Sequence, residues 1–245
     1  MIKSDYRFFK TQAKEGLLQY LMEKAKLELL FSPIRLKSYQ SLQEHFANLR
    51  LIGNIAPKLC VLEICIRNIV NDILIEKLGV DWCESENEAE YRGKNLCNHQ
   101  LVSRQNLGFW CKMINKHKLH NHIFVFDKGF DLKKYDSHNT NKFYYNGKKR
   151  LLRESHKSEI ILNWFHTIRN RAFHAENLLK TKVIMRDDKA SFAPRITTFI
   201  SIDDKYKLYF GVMPDKIEIF LEDCLDLIDR DLKSFIESVA QGATD

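Results

Sequence analysis

The chain has 245 residues, of which 44% are hydrophobic and 29% charged, with a formal charge of +7 and a pI near 9.0. That balance excludes wholesale disorder. No apolar run approaches the roughly 20 residues a membrane span needs, and the N-terminal MIKSDYRFFKTQ lacks the apolar stretch of a signal peptide. A cytoplasmic protein attractive to polyanions is therefore expected. Six cysteines (Cys60, Cys65, Cys83, Cys97, Cys111 and Cys224) include no CxxC pair, so they read as buried free thiols, with no zinc site and no cofactor.

In chain order, a loose lead-in over residues 1–11 precedes an amphipathic helix from about Thr11 to Leu30. Ser32-Pro33 restarts the chain with an N-cap and a first-turn proline. The helix that follows should carry Leu36, Tyr39, Leu42, Phe46 and Leu49 inward and be broken at Gly53-Asn54. From about Pro57 to Leu78 the apolar residues fall on nearly every side, with Val61, Ile64 and Cys65 around the back, which suits a helix central to a bundle. Glu63 and Arg67 lie four residues apart inside it. Charges in such a setting need close partners, and Glu63 is expected to pair with Arg169 or Arg67.

Residues 79–97 read as a polar surface connection. A helix over about Asn98–His117 should bury Leu101, Leu107, Trp110, Met113 and Ile114, with Gly108 allowing a close approach or marking a kink. In KHKLHNH, residues 116–122, the lysines argue against a metal and for phosphate contact. Between Ile123 and Arg150 aromatic residues are interleaved with lysines. Such a stretch either stacks on single-stranded RNA or anchors a long loop to the bundle, and Lys148-Lys149-Arg150 is the part expected to touch RNA.

The sequence is organised around Ile160–Asn177, IILNWFHTIRNRAFHAEN. Ile161, Trp164, Phe165, Ile168, Ala172 and Ala175 form one helical stripe. Leu162, His166, Asn170, Phe173 and His174 lie on the outer side, as on a second contact surface. Beyond it, residues 178–191 form a connection without clear pattern. Ile196–Ile202 and Tyr206–Phe210 form a β-hairpin ended by Gly211, Pro214 opens a last helix reaching Ile236, and the tail QGATD should fray. No repeat or low-complexity linker divides the chain. One mainly α domain over 1–245 is expected, with N-terminal helices over 12–78, central helices over 98–177, a hairpin over 196–211 and a C-terminal helix over 214–239.

Arg169-Asn170-Arg171-Ala172-Phe173-His174 closely resembles the R-x4-H signature of HEPN-domain ribonucleases. RNRAFHAEN is similar to the helix of the Abi-like, abortive-infection branch, as are Leu62–Asn68 (LEICIRN) and Gly108-Phe109-Trp110. The three elements stand in the branch's order from about Leu59 to Asn177. Many relatives carry a second His where this chain has Ala175. The resemblance implies a HEPN-type helical bundle, an endoribonuclease acting as toxin or antiphage effector, restraint by a protein or RNA antitoxin, and a homodimer with a composite site.

Chemically, RNA supplies its own 2′-OH nucleophile. His174 suits proton transfer, Arg169 suits the phosphate, and Asn170 suits positioning. Arg67 and His166 are supporting candidates, and Arg171 an RNA-binding one. On an ideal helix Arg169 and His174 stand about 140° apart, and one imidazole serves poorly as acid and base together. Two copies facing across a two-fold axis would resolve both difficulties. A non-catalytic HEPN module binding RNA or nucleotide, and an interaction scaffold, are the competing expectations.

Overall fold

The computed structural model describes residues 25–127, 129–186, 189–204 and 206–242. The expected lead-in, the start of the first helix and most of the fraying tail lie outside these residues. Two compact units divide the chain, one ending at Leu49 and the other running from Arg50.

In the first unit residues 25–31 are helical, and Pro33–Leu36 forms a single turn with proline in its first turn. Ser32 precedes it but makes no side-chain cap hydrogen bond. The expected inward register is corrected here. His45 and Asn48 are buried while Phe46 is 43% exposed. His45 packs edge-on against Phe31 and Tyr39, and Asn48 Nδ2 donates to the Tyr39 hydroxyl at 3.0 Å.

Helix α1, Leu42–Leu78, runs unbroken through Gly53-Asn54 and contains Pro57. The expected break is absent because Gly53, Asn54 and Pro57 all face outward. The buried residues Ile55, Leu59, Leu62, Ile66, Val70 and Leu74 line the other side. One glycine costs about 1 kcal/mol in a helix interior and one proline about 3, less than the burial of that row returns at about 1.5–3 kcal/mol per large apolar side chain. The helix is also less enclosed than its composition suggests, since Ile64 is 46% exposed.

The 79–97 connection is more than surface. Trp82 and Cys83 are buried in a short turn, Trp82–Ser85, and the Trp82 ring stacks on Phe109. Glu86 is buried and takes two 2.8 Å hydrogen bonds from Lys116 Nζ. In place of one helix over 98–117 there are two: α2, Asn98–Arg104, and α3, Leu107–His117. Asn106 separates them because its side chain accepts from the Phe109 N–H at 3.0 Å and caps α3. The five core positions expected across this segment are all buried.

Strands β1, Lys142–Tyr145, and β2, Lys148–Leu151, pair antiparallel about Asn146-Gly147. Both turn residues have positive φ, 51° and 73°, as the tight twisted hairpin turn requires. Helix α4 is Glu154–Phe173. The segment after it is a second hairpin, β3 (Thr181–Arg186) with β4 (Lys189–Pro194). The third, β5 (Ile196–Ser201) with β6 (Lys207–Val212), is the expected one, with Gly211 inside β6 rather than ending it. The single C-terminal helix becomes two, α5 (Ile217–Ile228) and α6 (Leu232–Gly242). Asp229 leaves the helix at φ −156°, ψ 131°, and its carboxylate accepts from the Asp231 N–H at 2.8 Å.

The core of the second unit forms where α1, α3, α4 and α5 meet. Trp164 of α4 sits edge-on to Phe220 of α5 and to Tyr135, with ring centroids 5.5 and 5.9 Å apart. Strand β5 lies along α4, and Trp164 Nε1 donates to the Phe210 carbonyl at 3.4 Å. The described residues are therefore mainly helical with small antiparallel hairpins. None of their helices is long and apolar enough to cross a membrane.

Candidate active site

The apolar stripe of α4 fixes the helix rotation. Ile161, Trp164, Phe165, Ile168 and Ala172 are buried, and Leu162, expected outside, is buried too. The next stripe round carries His166, Arg169 and Asn170 in half-buried positions, facing α1 and α3. Glu63 of α1 meets Arg169 there: Nε donates to Oε2 at 2.9 Å and Nη2 to Oε1 at 3.2 Å. The side chains are 22% and 27% exposed, so water screens this pair less than a surface pair. Arg67 takes no part in it, its Nε donating to Asn68 Oδ1 at 3.3 Å.

A directional chain continues from the guanidinium. Arg169 Nη1 donates to Asn170 Oδ1 at 3.3 Å, which turns the Asn170 amide nitrogen toward His166 Nε2 at 3.1 Å. An amide N–H donates, so Nε2 accepts and the His166 proton rests on Nδ1. Burial, and then the Arg169 charge, hold this imidazole below its ordinary value, with Glu63 opposing. On the far side of His166 lies Gly108. A Cβ there would sit 3.7 Å from Nε2 and 3.0 Å from the capping Asn106 Oδ1. The glycine thus makes room for two side chains, not for a backbone or a kink. The thiol of nearby Cys111 is pushed up to about 12 by burial and by the Glu63 charge; of the six thiols expected to be buried, Cys83 and Cys224 are, while Cys60 and Cys97 are exposed.

Phe173, 49% exposed, lies under the Arg169 guanidinium, whose carbon is 5.0 Å from the ring centroid. His174 is exposed and is the C-cap of α4 instead of a helical residue. The helix ends there because Ala175 takes φ 50°. The Glu176 N–H then bonds the Arg171 carbonyl at 2.8 Å and the Ala175 N–H the Ala172 carbonyl at 2.9 Å, a Schellman closure with alanine where glycine is usual. The expectation of helix through Asn177, with Ala175 in the core stripe, is corrected accordingly.

Glu63, Arg169, Asn170 and His166 are thus brought together, with His174 one turn beyond. Lys148, Lys149 and Arg150 are exposed on β2, before the other end of α4. The fifteen residues from Glu154 to Arg169 span about 22 Å at 1.5 Å per residue. Of the aromatic residues near them, Phe124, Phe130, Tyr135 and Phe143 anchor the segment in the core, while Tyr144 is 66% exposed. In the KHKLHNH stretch Lys116 is held by Glu86, and His120 Nε2 lies 2.9 Å from Asn115 Oδ1. Among the described residues no group of three His, Cys, Asp or Glu is placed to hold a metal ion. A cavity of about 600 Å³ opens elsewhere, lined by Phe130, Asp131, Lys134, Asp223 and Arg230 among others.

Sequence reasoning missed Asn106 as the cap beside the site, although an Asn three residues before Phe109 was a legible signal. It also missed Arg195, which only the β4–β5 corner brings to the end of α4. Compared with known proteins, the chain has no matching family model, and no curated protein or solved structure matches it.

Proposed function

We propose that the chain is a metal-independent endoribonuclease of the HEPN, Abi-like type, acting as a toxin or antiphage effector under the control of a protein or RNA antitoxin. The observation that carries the reading is the two-pronged Glu63–Arg169 pair on the helix whose C-cap is the exposed His174. A guanidinium has five N–H donors. Three are engaged with Glu63 and Asn170, which leaves one on each terminal nitrogen for the two non-bridging oxygens of a phosphodiester. Held on two sides and stacked on Phe173, Arg169 reaches the developing negative charge without first losing rotamer freedom.

In the proposed reaction His174 removes the proton from the 2′-OH, the 2′-oxygen bonds to phosphorus, and the bond to the 5′-oxygen breaks. A second imidazole protonates the leaving oxygen, giving a 2′,3′-cyclic phosphate and a 5′-OH end. His174 of a second copy across a two-fold axis fills that role, with His166 as the alternative imidazole. Purified full-length chain incubated with mixed RNA in EDTA tests this. Cleavage that disappears in His174→Ala and Arg169→Ala supports it, and cleavage that persists in His174→Ala overturns the assignment.

Two features favour the second reading, a non-catalytic module that binds RNA or nucleotide. Glu63 cancels the charge of Arg169, and no side-chain hydrogen bond orients His174 among the described residues. Retention of RNA without cleavage by either protein would select it.

A further inference from the structure

A second basic cluster lies just past His174. Arg171 Nη1 donates to Glu176 Oε2 at 2.8 Å, and Arg195 Nη2 stands 3.9 Å from the same oxygen. Two guanidinium groups from different elements, the last turn of α4 and the β4–β5 corner, thus share one carboxylate oxygen. Charges of like sign held this closely cost free energy unless an anion lies between them, and the Arg171 guanidinium is pushed below its ordinary range by burial and by Arg195. Arg195 has no closer acidic partner among the described residues. Its side chain is 32% exposed and that of Arg171 22%, so both can be reached from solvent.

The closure of α4 explains why the cluster is built here. The Glu176 N–H is tied to the Arg171 carbonyl, so the turn carrying His174 folds back and brings the Glu176 carboxylate onto the two arginines. Strand β5 lies along α4 and carries Arg195 to the helix end. The carboxylate occupies the place an anion of similar size would take.

We infer that Arg171 and Arg195 form a binding site for a backbone phosphate of single-stranded RNA next to the one cut, with Glu176 as an internal placeholder that the phosphate displaces. The inference rests on the ribonuclease reading for the identity of its ligand. Its geometry is independent of whether His174 performs chemistry. Arg195 thereby becomes an RNA-contacting residue, and the turn between Phe173 and Asn177 becomes the floor over which the strand passes from one phosphate to the next.

Binding of a labelled ten-nucleotide single-stranded RNA by the full chain, in a His174→Ala background, tests it without cleavage. Arg195→Ala should weaken binding about tenfold at low salt and lower the salt slope by about one ion. Glu176→Gln should tighten binding several-fold, an effect that unfolding cannot mimic. Lys77→Ala, on the last turn of α1, removes one charge as a control. The inference is overturned if Arg195→Ala matches Lys77→Ala in affinity and slope, or if Glu176→Gln fails to tighten binding. Should wild-type protein bind RNA through Arg195 and yet never cleave it, the anion site stands and the nuclease reading falls. Cleavage unaffected by Arg195→Ala sinks the anion site alone.

Discussion

At the residue scale Glu63 has the widest consequences, because three side chains take their orientation from it in sequence. Its carboxylate aims Arg169, Arg169 turns the Asn170 amide, and that amide sets the His166 tautomer. Glu63→Gln keeps the shape but not the charge. Its cost in stability should be about 1–2 kcal/mol, less than the 3–5 of a fully buried pair because about a quarter of each side chain is in water. Under the proposed reaction cleavage should fall about 100-fold, since the guanidinium assigned there to the phosphate is no longer held in register. Denaturant titration and initial cleavage rates separate the two effects, and an unchanged rate with intact folding would remove Glu63 from the site. Gly108→Ala should disturb the same chain from its other side, displacing the Asn106 cap and crowding His166. The pairing of Glu63 with one of two arginines was legible because an ionised group in an apolar helix needs a partner. Which arginine it took was not, since that depends on how α1 and α4 pack.

At the element scale the informative features are where helices stop and where they do not. Gly53 faces solvent in the interior of α1, its φ is not positive, and nothing lies within 4 Å of an added Cβ. Gly53→Ala should therefore raise stability by about 0.5–1 kcal/mol, seen as a higher denaturation midpoint. Ala175 is the opposite case, an alanine at the left-handed position that closes α4. Ala175→Gly should also stabilise, by about 0.5–1 kcal/mol, because the strain removed exceeds the unfolded-state entropy gained. A destabilising result would show that the alanine methyl has a packing role that offsets its strain. The β5–β6 hairpin was legible from its run of β-branched and aromatic residues. The Asn146-Gly147 hairpin had the stronger turn signal, but the lysines and aromatic residues around it resembled a loop. Only the pairing of Phe143 with Arg150 and Tyr144 with Lys149 made it a sheet.

At the scale of the whole molecule the histidines set the acid limit. His45, His120, His156 and His166 are all held below the ordinary value of 6.5, each chiefly by burial, with Arg35 acting on His45, Arg153 on His156 and Arg169 on His166. The unfolded chain therefore takes up protons near pH 6.5 that the folded chain refuses. Stability is complete above about 6.5 and declines as pH falls toward the depressed folded values. Glu159, raised above 4.5 by burial, works in the opposite sense. Glu86, Asp131 and Glu222, all lowered, add to the loss only below about 4.5. Melting temperatures between pH 7.5 and 5 should fall monotonically, and His166→Gln should flatten part of the slope; a flat profile would contradict the burial of these rings. The sequence by itself determined the helical character and most of the core stripe of α4, because these follow from residue type and from a period of 3.6. Tertiary structure alone decided that α1 passes through its glycine and proline, that Glu63 holds Arg169 rather than Arg67, and that Arg195 joins Arg171. Each of these is a balance between a local preference and contacts made by residues distant in the chain, and only packing settles it.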